Sequence, residues 1–578
     1  MRFHKWLSLS VVGILVFAGV SASLGAWIGP ILIGAEANLN FQDKVPVRFH
    51  PSGAVYITCM AHNADLERKD VYLFRYAGVG LKGEKIGKVS DGKRFCYEPD
   101  MYITEDGVVH ITWAEATHAN AEIQSIMYRS YDNGTFSPVQ VIKDMNIPGT
   151  LDPSSFNKEK IDNLKIAVDN DGNVFTAFMV WPSARCKFLS RYGTKVTEEE
   201  WPVGGRSKHP SLCVDQNYVH IGWQQLLGAY TVYYARRENT PGAKWTAIDV
   251  KGGIHRPAID LDQNGDPHYF YMANDGADPG SRHVVYKYWL GNRFSARESV
   301  SGGPKKYQNV EVAVKDNKNM IVTCAVFKSV ATDFLFNWRK NGLWNPAGVV
   351  QVPGASGKLD NPMVDLSNSD IGAFSYNMGG AVYLILSDPL VLNDLPVAVI
   401  NADKDTVFWD EEVAFNANGS SDKDGSIVRY EWKVIQDNVT LDGASITYRF
   451  NKSYNNVRVR LTVIDDKNGR GSAEKVINVK ALYTAPATWS IQPVQTLVFN
   501  RQGNVVTWEP NPKNDAAGYT IVKYKIFRRE GDGEYQEIAE VNADKRAFAD
   551  VAIDADKTYY YAVSAVDDQG HKSPYDNF

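Results

Sequence analysis

The sequence predicts an all-β protein of several domains, and three observations carry that prediction. First, 578 residues are too many for one hydrophobic core, since domains run to roughly 100–200 residues each. Second, aromatic residues reach 12%, with 30 Tyr, 14 Trp and 46 Gly, a mixture that favours strands and tight turns over long helices. Third, the first two-thirds of the chain repeats itself. Hydrophobic residues at 44% and charged residues at 22% are ordinary for folded protein. The net charge of −5 offers no basic face for nucleic acid, so DNA and RNA are not expected partners.

The chain opens with Met1-Arg-Phe-His-Lys5, and residues 6–35 then carry no charged side chain. Small residues at Ser21, Ala22 and Ser23, and later the triplet Ala35-Glu36-Ala37, offer cleavage sites of a secretory signal. The same stretch is long enough to cross a bilayer as a retained anchor. Residues 1–37 are therefore expected to be a signal peptide or N-terminal membrane anchor. The rest of the chain is then secreted, periplasmic or displayed at the cell surface, with membrane tethering through residues 6–35 as one route. Cys59, Cys96, Cys186, Cys213 and Cys324 are scattered, with no CxxC or Cys/His cluster, which excludes a zinc or dithiol motif. One or two disulfides would suit an exported chain, and the odd count leaves one thiol over.

The repeat is a short strand and a polar turn. It reads Pro99-Asp-Met-Tyr-Ile-Thr-Glu-Asp-Gly107, Leu164-Lys-Ile-Ala-Val-Asp-Asn-Asp-Gly172, Pro257-Ala-Ile-Asp-Leu-Asp-Gln-Asn-Gly265 and Val310-Glu-Val-Ala-Val-Lys-Asp-Asn-Lys318. Pro210-Ser-Leu-Cys-Val-Asp215, Pro362-Met-Val-Asp-Leu366 and Pro46-Val-Arg-Phe-His-Pro-Ser-Gly53 complete the series. A second apolar strand follows each turn, then a Tyr-rich third such as Val232-Tyr-Tyr-Ala235, then a short fourth such as Gly342-Leu-Trp344. Four antiparallel strands recurring about every fifty residues are the signature of propeller blades. Residues 38–392 are read as a seven-bladed β-propeller. The last repeat stops after three strands, and Leu39–Asp43 is expected to supply its missing outer strand and so close the ring.

These motifs resemble sialidase-like propellers with degenerate BNR repeats. The Asp-box of that family is only approached, at Ser130-Tyr-Asp132-Asn-Gly134-Thr-Phe136, which is one residue short. Residues 395–480 resemble a PKD domain through Asn418-Gly-Ser-Ser-Asp-Lys-Asp-Gly425, Trp432 and the alternating strand Val457–Val463. Residues 487–578 resemble a fibronectin type III domain through Val505-Val-Thr-Trp508, Tyr524–Arg529 and Tyr559–Val566. The fold class is thus a seven-bladed β-propeller followed by two immunoglobulin-like β-sandwiches. The resemblance implies that the two modules are spacers or adhesive units.

In a propeller the innermost strands surround the axis, and ligands meet the mouth of that channel. The two residues that lead each inner strand are Tyr97-Glu98, Asp162-Asn163, Lys208-His209, His255-Arg256, Gln308-Asn309 and Asp360-Asn361. All are polar or Tyr, against apolar strands behind them. Such a ring is suited to hydroxylated or charged ligands, so a glycan or glycoprotein is the expected partner, although strand ends capped by polar turn residues would look the same. His209, His255 and Arg256 are the catalytic candidates. Some sialidase-like propellers are polysaccharide lyases, and that likeness implies Arg or His to neutralise a uronate and His or Tyr to move its proton. Glu98, Glu115, Asp162 and Asp360 are the carboxylates open to a glycoside hydrolase, but the lone Arg256 argues against a sialidase. His110, His220 and His268 recur at one place in the second strand and are expected to pack between blades rather than to share a metal. Asp169-Asn-Asp-Gly172 and Asp262–Asp266 lack the twelfth-position Glu of a calcium loop, and the Ser421–Gly425 turn is read in the same way. No cofactor is expected, and structural calcium finds no specific motif. No Walker A, dinucleotide or Gly-x-Ser-x-Gly motif occurs.

Overall fold

The computed structural model describes residues 28–574 apart from 37–38, 43, 64–67, 79, 81, 94, 117–122, 147–159, 182, 228, 251–254, 275–281, 302–306, 317, 327–332, 345–347, 352–362, 409, 451–453, 481, 483–486, 493–502 and 555. Contacts divide the chain into two units, residues 1–393 and 394–578. Among the described residues the only helix is the five-residue turn Pro512–Ala516, and no helix is long and apolar enough to cross a membrane.

The first unit is a β-propeller. Among its described residues there are seven antiparallel sheets that follow one another along the chain. The innermost strands are Val47–Phe49, Phe95–Ile103, Lys160–Val168, Arg206–Val214, His255–Leu261, Tyr307–Val314 and Met363–Leu366. Each lies beside the inner strand of the next sheet, and the seventh lies beside the first. An inner strand is a sheet edge, so its outward-facing backbone N–H groups need acceptors. The preceding sheet supplies them. Ile166 N donates to Asp100 at 3.0 Å, Ile259 N to Ser211 Oγ at 3.0 Å, Val314 N to Asp260 at 2.8 Å and Phe49 N to Asp365 at 2.6 Å. The last of these bonds joins the seventh sheet to the first and closes the ring.

The closing strand differs from the sequence expectation. Leu39–Gln42 pairs with Met60–Asn63 and continues into Val47–Phe49, so this segment is part of the inner strand of the first sheet. The outer strand of the seventh sheet is instead Ile28–Gly34, antiparallel to Ala381–Leu386. Its buried Ile31 and Ile33 join the core shared by the first and seventh sheets, with Phe41, Val47, Val382 and Leu384. The apolar run that looked like leader or anchor to residue 35 therefore ends in propeller. The physical reason is that an edge strand buried on its core face is as apolar as a leader, and composition cannot separate them.

His110, His220 and His268 are all buried in the propeller. Each bridges within its own sheet. One ring nitrogen meets a Tyr hydroxyl of the third strand, Tyr128 at 2.7 Å, Tyr234 at 2.8 Å and Tyr286 at 2.7 Å. The other faces the preceding turn, with Thr104 at 3.4 Å from His110, Asp215 at 3.5 Å from His220 and Asp262 at 3.6 Å from His268. The turn carboxylates also accept backbone N–H groups, as Asp262 does from Asn264 and Asp266 and Asp169 from Asp171 and Asn173. The Asp-rich loops are thus hairpin turns keyed to the sheet beneath. Replacing His220 by Ala leaves the buried Tyr234 hydroxyl without its partner. The expected loss is about 1–3 kcal/mol, to be measured by urea denaturation. Cys59, Cys96, Cys186 and Cys213 are all buried as free thiols.

The second unit contains two sandwiches. In the first, Trp432 is fully buried among Val413, Phe415 and the alternating Val457, Val459, Leu461 and Val463. In the second, two three-stranded sheets enclose Trp508, Tyr524, Ile526 and Tyr561.

Candidate functional site

The rim of the propeller is set by one backbone irregularity repeated around the ring. Glu98, Asn163, His209 and Arg256 hold φ of 50°, 51°, 51° and 42°, the left-handed region that side chains other than Gly rarely adopt. Each sits in a register break of its inner strand, and the sixth sheet breaks at the same place, between Gln308 and Glu311. A bulge adds a residue and re-aims the side chain, at a cost of about 1–3 kcal/mol for each strained residue. Four such costs at equivalent positions mark this rim as the site candidate.

The structure divides the rim residues into groups. On the second and third sheets, Glu98 accepts from Asn163 N at 3.1 Å, and Asp162 accepts from the same N–H at 2.9 Å. Lys44, which the repeat did not reveal, lies 3.9 Å from both Glu98 and Asp100 and donates to Leu164 O at 2.7 Å. Tyr97 turns into the seam between these sheets, where its hydroxyl donates to Gln124, whose oxygen also accepts from Ile161 N at 3.0 Å. Burial, with Glu98 beside it, pushes this phenol well up. Glu115 is likewise committed, accepting from the Trp113 indole at 3.2 Å.

On the fourth and fifth sheets the rim is cationic and aromatic. The Lys208 ammonium lies 5.1 Å from the Trp181 ring and 5.6 Å from the Tyr230 ring. His255 stacks on Tyr230 at 5.9 Å, and its Nδ1 lies 3.3 Å from the Gln224 amide nitrogen. Burial, then Arg282, Arg256 and Lys208, lower His255 to about 4. Burial and the cations Arg256 and Lys208, with His255, push His209 well below its usual value. Both imidazoles are therefore neutral at pH 7, beside fixed positive charges. Nδ1 of His209 is buried with no protein partner. Trp181, Gln224, Tyr230 and Arg282 were not read from the sequence. Their signal is that they border the hairpin between second and third strands, the next loop outward on the same rim. Gln308 and Asn309 lie in their inner strand with side chains outside the description, and Asp360 and Asn361 lie outside the described residues.

Below the rim the inner strands carry a buried charge network. Arg48 stands among Asp365, Asp100, Asp260 and Glu311, and Lys165 pairs with Glu311 at 3.1 Å. Burial pushes Asp260 up to about 7, although it accepts from Val314 N and Leu261 N and faces Arg48. Burial raises Asp365 too, against the pull of Arg48.

The PKD domain family matches residues 393–481, and the chain is a β-propeller followed by β-sandwiches, the first of which is a PKD domain. A stretch of 88 residues is 36% identical to the collagenase ColA of Clostridium perfringens and spans 15% of this chain and 8% of that protein. Among solved structures, the GH93 α-L-arabinofuranosidase of Fusarium graminearum aligns with TM-score 0.38 and 11% identity over 62% of this chain and 96% of that one. An ulvan lyase of a new polysaccharide lyase family aligns with TM-score 0.35 and 12% identity over 62% and 95%. The α-L-arabinanase of Penicillium chrysogenum aligns with TM-score 0.34 and 11% identity over 57% and 99%.

Proposed function

We propose that the first unit is a seven-bladed propeller whose mouth binds an acidic glycan, in a protein exported to the cell surface or beyond. The observation that carries this reading is the quadrant of Lys208, His209, His255 and Arg256 with Arg282, flanked by Trp181 and Tyr230. Cations meet carboxylates or sulfates, aromatic rings stack on sugar faces, and the amides and acids of the Glu98–Asn163 side read hydroxyls. The PKD domain and the second sandwich, read as a fibronectin type III module, serve as spacer or adhesive units. Residues 6–27, which carry no charge, direct export or tether the chain.

The test is Arg256→Gly. Glycine relieves the left-handed backbone, so the melting temperature stays or rises, while affinity for acidic polysaccharides in a glycan array and by calorimetry falls at least tenfold. Unchanged affinity refutes the reading. The pH dependence is distinctive too. His255 titrates at about 4 and burial and its cationic neighbours hold His209 well below its usual value, so affinity is flat between about pH 5 and about pH 8. A fall across pH 6–7 would show that a charged imidazole binds the ligand.

A second reading, a polysaccharide lyase, is favoured by the neutral imidazoles held beside cations. The cations would neutralise a uronate carboxylate, and His209 or His255 would take the C5 proton. The electron pair then forms the C4–C5 double bond as the C4–O bond breaks, and the leaving oxygen takes up a proton. New ultraviolet absorbance from an unsaturated uronate, lost in His255→Ala, is the expected result. Binding without products leaves the first reading alone. A hydrolase is less well supported, because Glu98, Glu115 and Asp162 are each engaged by backbone or indole donors.

A further inference from the structure

A pocket lies on the flank of the propeller, away from the inner strands. It has a volume of about 760 Å³ and lies between the outer strand of the third sheet, Lys195–Glu199, and the segment 241–245 that leads into the outer strand of the fourth. The volume falls within the range of small-ligand sites. Trp201, Trp245 and Tyr192 form its aromatic lining, and Lys195, Thr197 and Glu200 its polar rim.

The pocket is supported from behind by an ion pair. Arg237, 2% exposed, donates to both carboxylate oxygens of Glu199 at 2.8 and 2.7 Å and to the Tyr192 hydroxyl at 3.1 Å. Its guanidinium lies 5.2 Å from the Trp245 ring, and Phe188 meets that ring edge-on at 5.1 Å. Trp201 packs edge-on to Trp223 at 5.3 Å. These contacts hold the two indoles in place before any ligand arrives, which lowers the entropy cost of binding. Yet the indole N–H groups of Trp201 and Trp245 are both covered and find no protein acceptor. Covered nitrogens cannot reach an incoming acceptor, so what Trp201 and Trp245 offer the cavity is ring carbon.

The geometry points to a secondary glycan site here that takes a neutral sugar ring. Aromatic side chains offer flat apolar faces to sugar C–H groups, and Lys195, Thr197 and Glu200 on the polar rim suit hydroxyl oxygens. A neutral ring is preferred over a uronate because Arg237, the buried cation that would hold an anion out of water, is already doubly bonded to Glu199. The site is independent of the mouth. It would hold a polysaccharide chain against the flank while the rim engages another segment, and two linked contacts raise avidity without new chemistry.

The experiment is calorimetry of the full chain with cello-, xylo-, manno-, galacto- and arabino-oligosaccharides. At least one series is expected to bind the wild type, with affinity falling at least tenfold in Trp245→Ala and Trp201→Ala. Because these indoles also pack on the core, Thr197→Arg at the exposed rim fills the pocket without touching the core and gives the same loss. Arg256→Gly at the mouth leaves this binding intact. The inference is overturned if no neutral series binds, if binding survives Thr197→Arg and Trp245→Ala, or if it disappears in Arg256→Gly, which would assign the ligand to the mouth.

Discussion

A chain beginning at residue 36 will not close its propeller. Removing Ile28–Gly34 strips the seventh sheet of its outer strand, exposes the edge of Ala381–Leu386 and opens the core around Ile31 and Ile33, which are 0% and 1% exposed. Truncating one such Ile to Ala costs about 2–5 kcal/mol, and a whole domain is held by only about 5–15 kcal/mol. The truncated chain is therefore expected to aggregate or to melt well below the wild type, because an unpaired apolar edge recruits other chains. Ile33→Ala alone should lower stability in urea by about 2–5 kcal/mol. A truncated chain with the wild-type melting curve would refute the closure. The same pairing bears on processing. Cleavage at Ala35-Glu36-Ala37 would discard the closing strand, so the mature N-terminus should lie at or before Ile28, as read by intact mass of the exported protein.

Arg48→Met is the second large effect. The guanidinium is the cation common to Asp365, Asp100, Asp260 and Glu311 at the axis. Removing one partner from a buried ionic cluster leaves uncompensated charge and costs about 3–5 kcal/mol. The loss should depend on pH in a definite direction. Asp260 titrates at about 7 in the folded protein against about 3.9 unfolded. A raised carboxylate opposes folding above its unfolded value, most strongly at and above pH 7, and this cost is relieved as pH falls through about 7. Without Arg48 the carboxylates rise further, so the deficit of the variant is largest near pH 8 and shrinks towards pH 5. His50, His110 and His255, each near 4 through burial, act the other way. Folding disfavours their protonation, so stability falls as pH drops from about 6.5 to about 4. That trend is common to both chains and cancels in the difference. A deficit that is constant with pH would show that the carboxylates do not depend on Arg48.

The positions of the rim were legible because they follow from a local rule. Once the Pro-x-Ile-x-x-Asp strand and turn are aligned, Glu98, Asn163, His209 and Arg256 occupy one offset, and all four share the left-handed bulge. What each side chain does there was not legible. Tyr97 and Lys208 occupy the same offset, yet Tyr97 is taken into a seam by Gln124 while Lys208 lies near the Trp181 and Tyr230 rings. The axis network was missed because Arg48, Lys165 and Asp260 look like ordinary polar interruptions in short strands. The Tyr128, Tyr234 and Tyr286 partners of the recurring histidines were not legible either, because the repeat fixes the histidine's place in its strand but not the hydroxyl it meets on the third strand.

By itself the sequence determined the strand-turn-strand units, their repetition, the sandwich cores around Trp432 and Trp508, and which residues lead each inner strand. All of these depend on period-two alternation and turn chemistry, which act over a few residues. Tertiary structure alone decided which segment closes the ring, which rim residues become neighbours, and which carboxylates share Arg48. Those outcomes join residues hundreds of positions apart, as Ile28 joins Leu386, and the free energy of such pairings resides in the shared core and the paired backbone edge, neither of which leaves a periodic trace in the chain.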